Sequence, residues 1–312
     1  PHALKYAGKP AEKKIEELQA TLRSEGADAV ILTQPDSIAW LFNIRGSDVA
    51  HNPVPLSFAV IPASGRPELF IAKAKIGAEA KVYLASLAKV CEPEALASRM
   101  ETLKASGKRV RLDPNTSASW FFRKLGGGKA RIVRGADPCV LPKARKNAVE
   151  IKGARAAHKR DGAVVVRFLA WLDRESPQGD LDEISVSRRL ETMRRETQAL
   201  KEISFDTISG AGPNGAIVHY RVTTATNRKL RPGELYLVDS GAQYLDGTTD
   251  ITRTVAIGTP TREMQERFTL VLKGHIAIAT ARFPKGTRGI DLDSFARRPL
   301  WEAGLDFDHG TG

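Results

Sequence analysis

The sequence predicts an α/β domain followed by an α+β domain. Between residues 11 and 134 short apolar runs alternate with helix-period segments, the pattern of a mixed sheet flanked by helices. Gly126-Gly-Gly128 through Pro142 then reads as loop and linker, with Pro138 and Pro142 bracketing it. Beyond it, two long helical patterns precede a strand-rich stretch and two further helices. We therefore expect domains at residues 1–142 and 143–312, and a length of 312 residues fits about two domains.

The elements follow in order. Residues 10–26 place apolar side chains at helical spacing, with Gly26 as a stop. Ala29-Val-Ile-Leu-Thr33 reads as a short buried strand, and Ser37 to Phe42 as a helix with Asp36 as its N-cap. Leu56 to Ile61 and Leu69 to Ile71 are expected as strands around the Ser64-Gly65 turn. Helices near 93–104 and 116–125 and strands near 108–112 and 131–134 complete the first domain. In the second, helices are expected at 146–174 and 181–196, and strands from Ser204 to Ile257. A helix opened by Thr259-Pro260 follows, with Met264, Phe268, Val271, Leu272 and His275 on one apolar face. Asp291 to Ala303 is the last helix.

Composition narrows the function. The 42% hydrophobic content supports substantial cores, and no apolar stretch is long enough to span a membrane. The formal charge is +12, but the basic residues are scattered among acids on helical segments and are not interleaved with aromatics. They read as solvated helix faces, not as a nucleic-acid surface. Cys91, expected in a loop, and Cys139, in the linker, form no disulfide framework or zinc pattern, which fits a reducing, cytoplasmic setting.

One stretch carries chemistry: Leu235-Tyr-Leu-Val-Asp239-Ser-Gly-Ala-Gln-Tyr-Leu-Asp-Gly247-Thr-Thr-Asp250. Asp239 ends an apolar run, where a charge is costly unless paired or bound to a cation. Asp250 sits among β-formers, and Asp246-Gly247 between them is a hairpin signal. Two carboxylates brought together suit a hard divalent cation. The structural alternative is a turn-capping Asp250 and a salt-bridged Asp239. A two-residue turn at Asp246-Gly247 keeps both aspartates on one face but offsets them by about 13 Å of strand. A wider loop or a bulge at Gly241 must shorten that offset, so the hairpin is expected to be irregular.

This segment resembles the metal-binding strand pair of the Xaa-Pro aminopeptidases, the aminopeptidase P branch of the pita-bread metallopeptidases. Ser204-Phe-Asp-Thr-Ile-Ser-Gly-Ala-Gly-Pro-Asn-Gly-Ala-Ile-Val-His219-Tyr-Arg is similar to the segment bearing that family's substrate-side histidine. Asp308-His309-Gly-Thr-Gly312 resembles the start of its glycine-rich His segment. Asp36 to Asp48 is similar to the non-catalytic, creatinase-N-like domain of the three-domain members. The resemblance implies that residues 143–312 form the first part of a pita-bread domain. A metal-ligating His is expected immediately after Gly312 and two glutamate ligands later, and the glutamate that would serve as general base is likewise expected outside these 312 residues. On that expectation the 312 residues are a fragment with an unpaired sheet edge and exposed apolar surface, unable to turn over substrate alone.

The resemblance further implies that Asp239 chelates one metal ion and Asp250 bridges two, most simply Mn²⁺, with Zn²⁺ or Co²⁺ as alternatives. By the same resemblance, hydroxide would attack an Xaa-Pro bond and release the N-terminal residue from peptides with proline second, with His219 stabilising the developing oxyanion and His309 beside the substrate. Left to composition alone, His219 and His309 would be structural or loop histidines. His275 reads as structural, His51 and His158 as surface residues, and Arg45 and Asp48 as weak candidates for an interdomain or dimer contact. Thr252 shares a face with Asp250 and can hydrogen-bond the site. A homodimer is implied, with no nucleic-acid or membrane partner. A prolidase-type dipeptidase and a non-enzymatic pita-bread binding protein are the alternative readings.

Overall fold

The computed structural model describes residues 1–310; Thr311 and Gly312, the end of the glycine-rich motif, lie outside the described residues. The chain divides into two compact units, residues 1–159 with 243–249, and residue 160 onward without 243–249. In the first, a single helical turn α1 (Leu4–Ala7) precedes α2 (Ala11–Ser24), which buries Ile15, Leu18 and Leu22. Gly26 ends that helix at φ 66°, a value open to glycine at no steric cost. Strand β1 (Ala29–Leu32) is buried at all four positions. Val30 and Leu32 join the α2-side core and Ala29 and Ile31 the opposite one, so a sheet covered on both faces explains the unbroken AVIL run.

Helix α3 (Pro35–Leu41) starts earlier than the Asp36 cap implies. Pro35, pre-set for a first helical position, makes Gln34 the capping residue, and Asp36 instead pairs with Lys143. Then come β2 (Phe58–Pro62), β3 (Glu68–Phe70), α4 (Ala78–Leu87) and β4 (Lys89–Cys91). Next are α5 (Ala95–Ala105), β5 (Arg109–Leu112), α6 (Ser119–Leu125), β6 (Arg131–Arg134) and α7 (Val140–Ala144). The strands form one six-stranded sheet, β4-β3-β2-β1-β5-β6, with antiparallel β1–β2 and β2–β3 pairs and parallel pairs elsewhere. The sequence reading missed α4 and β4, which places Cys91 in a strand, not a loop.

In the second unit α8 (Ala148–Glu175) contributes its later turns, burying Val164, Val165, Phe168 and Leu172 against Val186, Leu190 and Met193 of α9 (Glu183–Glu196). A capping box starts α9: Ser185 N–H donates to Asp182 Oδ1 at 2.8 Å and Asp182 N–H to Ser185 Oγ at 3.0 Å. Strands β7 (Glu202–Ile203), β8 (Ile208–Ala211), β9 (Leu235–Gln243) and β10 (Thr248–Ala256) make a sheet in which β9 is central and β10 is an edge. The stretch from Gly212 to Glu234 holds a 3-10 turn at Gly212–Ala216 and no strand, a correction to the strand-rich reading.

Helix α10 (Arg262–Thr280) is capped by Thr261, not opened by Pro260, and pairs with α11 (Gly289–Trp301). Its buried seam is Gly274; a Cβ there would sit 2.2 Å from Ala296 O, so only glycine permits the approach. Phe268, Val271, Leu272 and His275, placed on one apolar face by their spacing, are exposed. Periodicity marked the apolar stripe, but the partner helix packs on another face. No helix among the described residues is long and apolar enough to cross a membrane.

Candidate metal centre

Strand β9 alternates: Tyr236, Val238 and Ser240 are buried in the core, while Leu235, Leu237 and Asp239 turn to the other face. Asp239 is thus on a half-buried strand face, not at the end of a strand buried on both sides. Behind it Ser240 accepts from Arg194 Nη2 at 3.1 Å, and Arg194 makes a bidentate ion pair with Asp161, all three residues being buried. On the partner strand β8, Ile208 stands opposite Asp239.

The β9–β10 tip sets the second carboxylate. Tyr244 N–H donates to Gly247 O at 2.9 Å, so the turn residues are Leu245 and Asp246. Thr248 Oγ1 reaches Gln243 Oε1 at 2.6 Å across the first rung. Continued at that register, Gly241 falls opposite Asp250, and the Asp239–Asp250 offset is two residues, about 7 Å of strand. Gly247 packs closely: a Cβ would lie 3.1 Å from Ala154 Cα and Ala157 Cβ, a tight contact that glycine avoids.

The two carboxylates meet. The Asp250 carboxyl is held above the usual range first by partial burial, then by the negative charge of Asp239 and a hydrogen bond shared with it. Asp239 Oδ1 is buried and accepts no hydrogen bond among the described residues. A buried, unpartnered carboxylate oxygen beside a second carboxylate is costly in bare protein, and oxygen donors without a proton donor fit a hard divalent cation. Among the described residues no cluster of three or more His, Cys, Asp or Glu forms a fuller ligand set.

Asp239 and Asp250 line a cavity of about 320 Å³ with Phe205, Asp206, Ile208, His219 and Arg221. His219 is exposed, with φ 52°, and its ring lies edge-on to that of His309, centroids 5.6 Å apart. All four predicted site residues therefore belong to one region of the second unit. Thr252 is exposed on β10. Asp206 and Arg221, which form an ion pair at the cavity, were not singled out from the sequence. Neither was Glu183, whose buried carboxylate ties down the loop bearing His219. The only sequence signal near Glu183 is the Asp-Glu-Ile-Ser helix start. Of the residues set aside, His158 is exposed, His51 is half-buried with its carbonyl accepting from Gln243 Nε2 at 2.8 Å, and Asp48 pairs with Lys75 at 2.7 Å. Cys91 and Cys139 are both free thiols.

Comparison with known proteins adds to this geometry. Residues 1–150 match the creatinase/prolidase N-terminal domain and residues 152–312 match metallopeptidase family M24. The chain is 42% identical over 319 residues to a probable Xaa-Pro aminopeptidase P of Talaromyces stipitatus, covering 100% of this chain and 48% of that one. It is 40% identical to the corresponding protein of Sordaria macrospora, covering 99% of this chain and 52% of that one. Among solved structures, it is similar to the X-prolyl aminopeptidase of Caenorhabditis elegans, described as a cytosolic enzyme with a di-nuclear active site. That similarity has a TM-score of 0.92 at 35% identity, over 99% of this chain and 51% of the other. The Xaa-Pro dipeptidase of Bacillus anthracis, at 22% identity and TM-score 0.71 over 94% of this chain and 78% of that one, shares the fold. The chain thus spans about half the length of the curated relatives it matches.

Proposed function

The chain belongs to metallopeptidase family M24, with a creatinase-type N-terminal domain ahead of its pita-bread domain, and we propose that the whole protein is an Xaa-Pro aminopeptidase. It would release the N-terminal residue from peptides whose second residue is proline. The observation that carries the reading is the convergence of Asp239 and Asp250 at one cavity with His219, with an Asp239 oxygen left unpartnered. The names of the relatives support the choice of an aminopeptidase over a dipeptidase.

In this reading Asp239 and Asp250 hold a pair of divalent ions, Mn²⁺ by preference for an oxygen-rich donor set, together with ligands beyond the described residues. When bound, such ions polarise a water and the scissile carbonyl as Lewis acids. The protein's own residues do the rest. The two carboxylates would offset part of the charge of the bound ions and fix where they sit. Exposed and aimed at the cavity, His219 offers a ring N–H to the oxygen on which charge develops, the oxyanion-type stabilisation that rewards a preorganised donor. His309, whose ring is edge-on to that of His219, would sit beside the substrate in this reading. A cytoplasmic homodimer completes the proposal.

The test uses the full-length protein supplied with Mn²⁺. We expect hydrolysis of an Xaa-Pro-Xaa tripeptide, loss of activity with chelator, and more than about a hundredfold weaker Mn²⁺ binding in Asp239→Asn, since loss of even an outer partner typically costs 10–100-fold. Cleavage of Xaa-Pro dipeptides alone would replace the aminopeptidase with a prolidase-type dipeptidase. Metal binding without hydrolysis of either would favour a binding protein.

A further inference from the structure

We infer that Glu183 is a positioning residue for His219, acting through the loop between β8 and β9; the inference rests on the reading of His219 as an electrophile. Glu183 occupies the first turn of α9 and is fully buried. Where the loop leaves β8, the carboxylate accepts from Ala211 N–H at 2.7 Å and Asn214 Nδ2 at 2.9 Å. Where it returns, the carboxylate accepts from the Tyr220 hydroxyl at 3.1 Å and Arg228 N–H at 3.0 Å. All four partners donate, so only an acceptor-only side chain satisfies them together. A glutamine would turn two N–H groups toward donors.

The imidazole of His219, by contrast, makes no hydrogen bond among the described residues. Its backbone sits at φ 52°, a region a non-glycine residue keeps only when its surroundings hold it. What holds it is the next residue: Tyr220 is buried, with its hydroxyl on Glu183. Arg228 adds a second brace across the loop's base, its Nε donating to Ala211 O at 3.2 Å and Nη2 to Glu234 at 2.9 Å. The strand itself is anchored differently. Ser209 Oγ donates to the Glu183 backbone carbonyl at 2.7 Å and meets the Tyr236 hydroxyl at 2.7 Å. Removing the carboxylate therefore loosens the His219 loop while the β8–β9 ladder, and Asp239 on it, stays pinned.

A double-mutant cycle on the full-length, Mn²⁺-loaded protein tests this with an Xaa-Pro-Xaa tripeptide. Glu183→Gln should lower kcat about 10- to 100-fold, the scale of a lost catalytic donor, with Mn²⁺ affinity held within about threefold. In a His219→Ala background the same change should cost less than about threefold, because residues acting as one unit are not additive. Equal losses in both backgrounds, or no loss in the first, would overturn the inference. Should Glu183→Gln fail to fold, Tyr220→Phe deletes a single donor and should lower kcat about three- to tenfold, the scale of one hydrogen bond, only when His219 is present. The ring-proton NMR signal of His219 reads position without catalysis. It should shift in either variant while that of His158 stays put, and an unmoved His219 signal would overturn the positioning role. Wild-type kcat in His219→Ala would instead overturn the electrophile reading beneath it.

Discussion

The buried ion pair behind Asp239 gives the sharpest test of how the second unit is held. Asp161 on α8 and Arg194 on α9 both have 0% side-chain exposure. Arg194 Nε donates to Asp161 Oδ1 at 2.8 Å and Nη2 to Oδ2 at 3.0 Å, while Nη1 is buried with no partner among the described residues. Asp161→Asn keeps the shape and removes the charge. The guanidinium then stays ionised in a fully buried site, with one of its nitrogens already unsatisfied among the described residues. Breaking such a pair from one side costs about 3–5 kcal/mol. At roughly 2–4 °C per kcal/mol for a unit of this size, the melting temperature should fall about 6–20 °C. Removing both charges is different: Asp161→Leu with Arg194→Met leaves no orphaned ion and loses mainly the Ser240 hydrogen bond, about 1 kcal/mol. The double variant should therefore be more stable than Asp161→Asn. Urea titrations followed by circular dichroism measure all three proteins. The reasoning fails if Asp161→Asn lies within about 1 kcal/mol of wild type, well below the cost of an unpaired buried charge, or if the double variant is no better than the single.

Two further outcomes are expected in the first unit. Lys14 is buried beneath Trp40, its ammonium 4.3 Å from the ring centroid and bonded to Trp40 O at 2.9 Å and Asn43 Oδ1 at 2.7 Å. Burial, reinforced by Arg45 and Lys9, pushes it down to about 8. A lowered ammonium gives stability that is present above its unfolded value and lost as pH falls through the folded one. Wild type should thus gain up to about 3 kcal/mol relative to Lys14→Met between pH 8 and 10.5, read by urea titration across that range; a constant difference would refute it. At the hairpin tip, a Cβ on Gly153 would lie 2.4 Å from Asp246 O, a backbone atom. Gly153→Ala should cost about 1–3 kcal/mol, the scale of overpacking, and calorimetry showing an unchanged melting temperature would discount that contact.

What the sequence made legible was whatever local physics decides. The AVIL strand, the Gly26 stop and the long α8 pattern were readable because composition and period alone specify them. Helix α4 was not, since Val82 faces solvent and few of its apolar residues reach the core. The stripe on α10 was visible but its use was not, because the seam is a glycine chosen by the α11 backbone. Glu183 was invisible for a related reason. Its role depends on donors at residues 211, 214, 220 and 228, which only the fold delivers to one carboxylate.

The carboxylate pair shows where pattern ends and geometry begins. Alternation of side chains already puts Asp239 and Asp250 on one face for any register that differs by an even number of residues. Face was therefore readable, but distance was not. Reading Asp246-Gly247 as the turn gives an offset of four residues. The turn at Leu245-Asp246 slips the register by two, which keeps the face and halves the separation to that of diagonal cross-strand neighbours, about 7–8 Å between Cα atoms. Carboxylates leaning toward each other close that gap. The glycine that marked the hairpin was real but its purpose lay elsewhere: Gly247 lets the tip lie against Ala154 and Ala157. A glycine beside an aspartate thus signals either a turn or a close approach, and choosing between them here moves the second aspartate by about 7 Å along its strand, the difference between two isolated charges and the one carboxylate pair on which the proposed metal site rests.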